Sequence, residues 1–377
     1  MAGNLLAAPP RTILVVVTRR IGDVLLATPL VRTLKHAWPA AAVDVLVFAG
    51  TEGVLGRNRD LRAVLTVPER GSLGEQWALV RRIRRRYDLA LSTLPGDRPT
   101  LYAWLAGRTR VGAAAPGPKH AWKRALLTHA VPFDDRETHA VAQNLALARP
   151  LGIAPQAEVA ASWSAEDERA VAAALPFEAL GTRYAVLHLY PKFRYKQWTA
   201  AGWTELAQWL AGEGLWIVLT GSGAPDETEY VAQVAREFPA GTVNLAGRLS
   251  FPQAACLITR AAVYVGPDTG TTHLAAATGT PTIALFGPSS PVRWGPWPRG
   301  YDDTASPFGL RGSRTVNNVT LLQGAHARGC VPCLREGCER HVASRSDCLE
   351  EMPAARVIDA VRKVLARVDV SERAARG

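Results

Sequence analysis

Apolar residues fall along this chain in short continuous runs, and the segments between them carry a helical repeat. Thr12–Val17 is an apolar run of strand length. From Asp23 to Ala37, Leu26, Leu30 and Leu34 recur at every fourth position with Val31 beside them, which makes one buried helical stripe that Trp38-Pro39 ends. Val43–Phe48 reads as the next strand, Gln76–Arg86 as a helix and Leu89–Leu94 as another strand. A break falls near 155–182, where Ser164 and Asp167 form a capping box that opens a helix to Ala174, and Pro176 and Gly181 punctuate its end. The rhythm then restarts with strands at Tyr184–Leu189, Leu215–Thr220, Ala262–Val265 and Thr282–Phe286. Helices are expected between them at Thr199–Ala211, Glu227–Phe238 and Thr271–Thr278. The stretch 287–350, rich in Pro, Gly, Arg and Cys, reads as irregular. Pro353–Val368 is a last helix whose apolar face is Val357, Val361, Val364, Leu365 and Val368.

Alternating strand and helix implies parallel sheets covered on both faces. The pattern therefore predicts two doubly wound α/β domains, 1–163 and 164–352, with 353–377 as a terminal helix packing back toward the first. Two such domains in tandem suggest a cleft between them. In open α/β sheets ligands sit beyond the carboxyl ends of the strands, so chemistry is expected after Val17, Leu189, Thr220, Val265 and Phe286.

Composition narrows the class. With 377 residues, 48% hydrophobic and 20% charged, the chain has the balance of a globular protein and not of a disordered one. No run reaches the about 18 apolar residues of a membrane helix. Met1–Pro10 lacks the basic and apolar regions of a signal peptide, so a cytoplasmic protein is expected. The formal charge is +11, and only six of the 44 basic residues are Lys. That field attracts phosphate-rich partners such as nucleotides, anionic lipid or nucleic acid.

The expected strand ends carry distinct groups. Arg19-Arg20-Ile21-Gly22-Asp23 follows the first strand, and Asp23 reads either as a helix cap or as a general base. Lys192 and Lys196 fall in one loop before a helix, compact charges suited to phosphate or else a solvated basic loop. Gly221–Glu227 is a Gly-rich turn feeding an acidic helix start, suited to ribose or base contacts or simply a loop. Gly266-Pro-Asp268-Thr269-Gly270-Thr271-Thr272-His273 is the most informative segment. Its small residues admit a ligand, the helix start at Thr271 offers N–H groups to an anion, and Asp268 can accept from sugar hydroxyls.

Three of these segments, Arg20-Ile-Gly-Asp23-Val-Leu-Leu-Ala-Thr-Pro29, Lys196-Gln-Trp198 and Asp268-Thr-Gly-Thr-Thr-His273, followed by Ala284-Leu-Phe-Gly-Pro288, resemble glycosyltransferase family nine. That family includes the lipopolysaccharide heptosyltransferases. The resemblance spans about residues 11–368 and implies a GT-B fold of two Rossmann-like domains, with the acceptor on the first and the nucleotide sugar on the second. It implies inverting transfer from a sugar nucleotide, typically ADP-heptose, to a lipopolysaccharide-core or related glycan acceptor. Carried over, Asp23 is the base, Lys196 a diphosphate contact, and Asp268, Thr269, Gly270 and His273 the donor pocket, with Thr271 and Lys192 beside them. Some heptosyltransferases have a Thr pair where this chain has Leu189-Tyr190-Pro191, so the phosphate contacts of that loop differ.

Cys330, Cys333, Cys338 and Cys348 are spaced C-x2-C-x4-C-x9-C. The spacing fits a structural metal site, reduced packing thiols or disulfides formed in air, and no cofactor or metal is expected to be needed for catalysis. Cys256 stands alone on a helical stretch and reads as core. No Asp-x-Asp stands at a strand end to hold a catalytic metal. Arg81, Arg82, Arg84, Arg85 and Arg86 crowd one helix end and read either as a solvated arginine face or as peripheral contact with an anionic membrane. A nucleotide-sugar epimerase of the same fold is the main alternative. A basic nucleic-acid binder ranks last, since nothing resembles a recognition helix, and nucleic acid is not expected as a partner.

Overall fold

The structure, a computed structural model, describes residues 5–376 and side chains up to residue 367; Met1–Asn4 and the side chain of Val368 lie outside the described residues. Strands β1 (Thr12–Val17), β2 (Ala42–Phe48), β3 (Ala63–Val67), β4 (Tyr87–Ser92), β5 (Gly107–Ala114) and β6 (His129–Pro132) form one sheet in the order β3-β2-β1-β4-β5-β6. Every pairing in it is parallel. A second sheet is built from β7 (Tyr184–His188), β8 (Trp216–Thr220), β9 (Val243–Asn244), β10 (Val263–Pro267), β11 (Thr282–Phe286), β12 (Arg314–Val316) and β13 (Val319–Gln323). Its order is β12-β13-β11-β10-β7-β8-β9, parallel except for β12 on β13. Both are doubly wound: the order reverses between β1 and β4 in one sheet and between β7 and β10 in the other.

The chain divides into two compact units, Met1–Ser162 with Tyr301–Ser306, and Trp163–Gly300 with Pro307–Gly377. The last helix, Ala354–Arg376, buries Val357, Val361 and Leu365 in the core of the second unit and packs on the helix Ala200–Gly212. Val364 is partly buried against the same core.

Two expectations change. The helix expected over Asp23–Ala37 is two helices, Ile21–Leu25 and Thr28–Ala37. Pro29 has no N–H to donate to Leu25. Thr28 Oγ1 donates to the Leu25 carbonyl instead, at 2.7 Å, and Asn144 Nδ2 serves the Leu26 carbonyl at 2.9 Å. The stretch 287–350 is not all irregular, since it holds the β12–β13 hairpin. Its turn is Asn317-Asn318, with Asn317 in the left-handed region at φ 46° that Asn tolerates, and β13 continues the sheet beside β11.

Candidate active site

In the second unit the loops leaving β7 and β10 part at the reversal of strand order, the place where doubly wound sheets hold ligands. The loop after β7 carries Lys196 in the short turn Arg194–Lys196. Trp198 anchors this loop: its Nε1 donates to the Met352 carbonyl at 2.9 Å and its buried ring meets Trp203 edge-on. Ser346 Oγ holds the same loop from the cysteine-rich segment, donating to the Tyr195 carbonyl at 2.7 Å.

The segment after β10 turns directly into the helix Gly270–Thr278. Thr269 caps it, its side chain accepting from the Thr272 N–H. The N–H groups of Gly270 and Thr271 have no acceptor within the helix, as at any helix start, so the turn offers partial positive charge. The turn is tight. A Cβ added at Gly266 would stand 2.4 Å from the Tyr264 hydroxyl and 2.9 Å from Thr272 Oγ1, two oxygens that are hydrogen-bonded to each other at 3.0 Å.

Lys196 Nζ lies 2.5 Å from Asp268 Oδ2. Burial by itself raises the pKa of Asp268, but the Lys196 ammonium and hydrogen bonds from Lys196 and Ser289 outweigh it and hold the carboxyl below its ordinary range. His273 sits in the first turn of the helix. Burial drives its pKa down to about 4; Asp268 pulls it up and Lys196 adds to the fall. The imidazole is therefore neutral at neutral pH. Its Nδ1 is buried with no hydrogen-bond partner among the described residues. An orphaned buried polar atom carries a desolvation cost of about 1–3 kcal/mol, which a bound ligand can remove.

The structure thus brings together Lys196, Asp268, Thr269, Gly270, Thr271 and His273. Lys192, on the same loop, is exposed. Leu189 lies in the core and Tyr190 packs its ring against Tyr230, so this stretch presents no Thr hydroxyls. Ser289 stands in the loop after Phe286, one of the expected strand ends, and its hydroxyl reaches Asp268; the sequence marks the loop but not this residue. At the end of β8, Glu227 turns back to accept from the Ser222 N–H at 2.8 Å and from its hydroxyl, while buried His188 meets Thr220 Oγ1 at 3.3 Å.

In the first unit, Asp23 is the third residue of the helix Ile21–Leu25, whose cap position is Arg20. It is therefore not the cap itself. Its carboxylate is 14% exposed and lies 3.6 Å from the Arg19 guanidinium. The helix start stabilises its negative charge.

Cys330, Cys333, Cys338 and Cys348 are free thiols lining one cavity of about 40 Å³ together with His326 and Asp347. Burial and the neighbouring thiols push Cys348 up to about 12. Among the described residues no three His, Cys, Asp or Glu side chains are gathered as a metal ion would hold them. The segment also bonds to the loops after β7 and β11: besides Ser346, the Leu334 N–H donates to the Pro288 carbonyl at 2.9 Å. Cys256 is buried.

A family model described as glycosyltransferase family 9 (heptosyltransferase) matches residues 76–309, more than half of the chain; Asp23 lies ahead of that span. Lipopolysaccharide heptosyltransferase 3 of Escherichia coli (strain K12) is 29% identical over 288 residues, which cover 73% of this chain and 82% of that protein. The crystal structure of a family 9 glycosyl transferase from Veillonella parvula superposes with a TM-score of 0.76 at 18% identity, covering 95% of this chain and 97% of that one. The structure of E. coli ADP-heptose lps heptosyltransferase II superposes with a TM-score of 0.73 at 21% identity, covering 95% and 99%. The fold they share with this chain is GT-B.

Proposed function

The chain belongs to glycosyltransferase family 9, and from that premise we propose that it moves heptose from ADP-heptose to a lipopolysaccharide-core or related, lipid-linked glycan acceptor, with inversion. The observation that carries the reading is the Lys196–Asp268 pair at the start of the helix Gly270–Thr278. Two sources of positive potential meet there, the ammonium and the helix end. Lys196 has three N–H donors and Asp268 engages only part of that capacity, which leaves donors for a diphosphate. Asp268 keeps its charge and accepts from donor hydroxyls. Neutral His273 offers Nδ1, its orphaned atom, to the donor.

In the reaction so assigned, Asp23 takes the proton of the acceptor hydroxyl. The freed oxygen attacks the anomeric carbon on the face opposite the diphosphate. The bond from that carbon to the phosphate oxygen breaks, and its electron pair leaves with ADP. Lys196 and the helix start stabilise the growing charge at that oxygen. The names of the relatives support heptose as the sugar and ADP as the nucleotide.

Calorimetry with ADP-heptose and with ADP-, UDP- and GDP-hexoses tests the donor. ADP-heptose is expected to bind best, and Lys196→Met to weaken it about tenfold or more, the loss of a charge-assisted bond. Tighter binding of a UDP- or GDP-sugar, or unchanged affinity in the Lys196 variant, would overturn the donor assignment.

A further inference from the structure

On one face of the first sheet, the helices Leu73–Ile83, Asp97–Ala106 and Ala121–Leu126 pack side by side, the first against the second and the second against the third. Each exposes a tryptophan: Trp77 at 62%, Trp104 at 42% and Trp122 at 44%. The chain has eleven Trp, and among the described residues only Trp216 is exposed besides these three. Leu73, 88% exposed, stands one turn before Trp77. Large apolar side chains clustered in water mark a surface that meets something.

The charge at the end of the first of these helices has one sign. Arg81, Arg82, Arg84, Arg85 and Arg86 are all exposed, and none makes an ion pair among the described residues. Leu73, Trp77, Arg81 and Arg84 are spaced at i, i+4, i+8 and i+11, which keeps them along one side of the helix axis. Arg85, at φ 51°, turns the chain there, and its N–H donates to the Leu105 carbonyl at 2.8 Å, which brings the arginine turn next to Trp104. The acids on this face are engaged: Glu75 accepts from Ser72 in the capping box, and Asp97 pairs with Lys123 at 2.5 Å. The arginines are left uncompensated.

We propose that this three-helix face docks on an anionic lipid bilayer, with the tryptophans seated among the headgroups and the arginines on lipid phosphates. A solvated arginine face would not need three exposed tryptophans. Trp is favoured at the level of lipid headgroups, where its ring is apolar and its N–H can bond. Arginines attract anionic lipid, and salt weakens them. The inference rests on the first unit alone and stands apart from the donor reading.

Flotation of the full chain with vesicles of phosphatidylcholine and phosphatidylglycerol, against phosphatidylcholine alone, tests it. The protein should float with the anionic vesicles at low salt and stay down with the neutral ones. High salt should release it. Replacing the five arginines by Gln should weaken vesicle affinity at least about tenfold, given about fivefold per Arg near the surface. Replacing Trp77, Trp104 and Trp122 by Ser should weaken it as well and remove the quenching of protein fluorescence by brominated lipid. Thermal melting checks that both variants fold; should the tryptophan variant not fold, the arginine variant and quenching of the unaltered protein decide. No flotation of the unaltered protein, equal flotation of the arginine variant, or no quenching would overturn the proposal. So would a dimer that the tryptophan replacements dissociate, which would give the face to a second copy.

Discussion

A buried carboxylate and a nearly buried ammonium at 2.5 Å are held together because each would be costly alone. Asp268 and Lys196 come from loops 72 positions apart, and the sequence does not show that they pair. His273 beside them makes a pH prediction. Its folded pKa of about 4 lies below the ordinary 6.5, so between those values the unfolded chain binds a proton that the folded protein does not. Stability is therefore expected to fall as pH drops from 6.5 to 4, by on the order of 3 kcal/mol, and to change no further through this group below 4. Asp268, with its pKa lowered, acts in the same direction, its contribution being lost as pH falls through its folded pKa. His273→Gln should flatten the slope between pH 6.5 and 4 in urea unfolding; an unchanged slope would mean that the imidazole is not buried neutral.

At the scale of elements, the short helix that carries Asp23 depends on how its end is satisfied. Thr28 Oγ1 donates to the Leu25 carbonyl and accepts from the Ala160 N–H at 3.0 Å, both beside the break before Pro29. Thr28→Val should cost about 1–3 kcal/mol of stability by urea unfolding, since it leaves both groups unpaired. It should also lower turnover while donor affinity stays the same; a loss of donor affinity instead would tie this helix to the donor site. The break itself was hidden because the Leu26, Leu30, Leu34 repeat runs straight through it, and side-chain periodicity does not see a missing N–H. Continuous apolar strands such as β1 and β10 were legible from their composition. β3 and β5 were not, since β5 carries Arg108 and Arg110 where one face meets solvent. The β12–β13 hairpin hid behind its Arg and Gly neighbours, although its Asn-Asn turn was a usable signal. Of the candidate site, the helix-start residues were readable from small residues next to charged ones. The pairing across Lys196 and Asp268 was not, because only the sheet order places β7 beside β10.

At the scale of the molecule, the sheet orders put each candidate group after a strand flanking a reversal point: Asp23 after β1, Lys196 after β7 and Asp268 after β10. In the proposed reaction Lys196 and a helix start take the part that a divalent metal plays in other transferases. Transfer is therefore expected to continue in EDTA. Loss of activity restored by magnesium would refute this; loss restored by zinc would place the effect in the cysteine-rich segment, whose Ser346 and Leu334 bond to the Tyr195 and Pro288 carbonyls. The account as a whole turns on Asp23 as the group that takes the acceptor proton. The measurement that bears on it most directly is ADP release from ADP-heptose in the presence of acceptor, compared between the unaltered chain and Asp23→Asn. The account predicts that the variant binds donor with unchanged affinity and melts at the same temperature, while turnover falls by about a hundred- to ten-thousand-fold. Turnover close to that of the unaltered chain would contradict it.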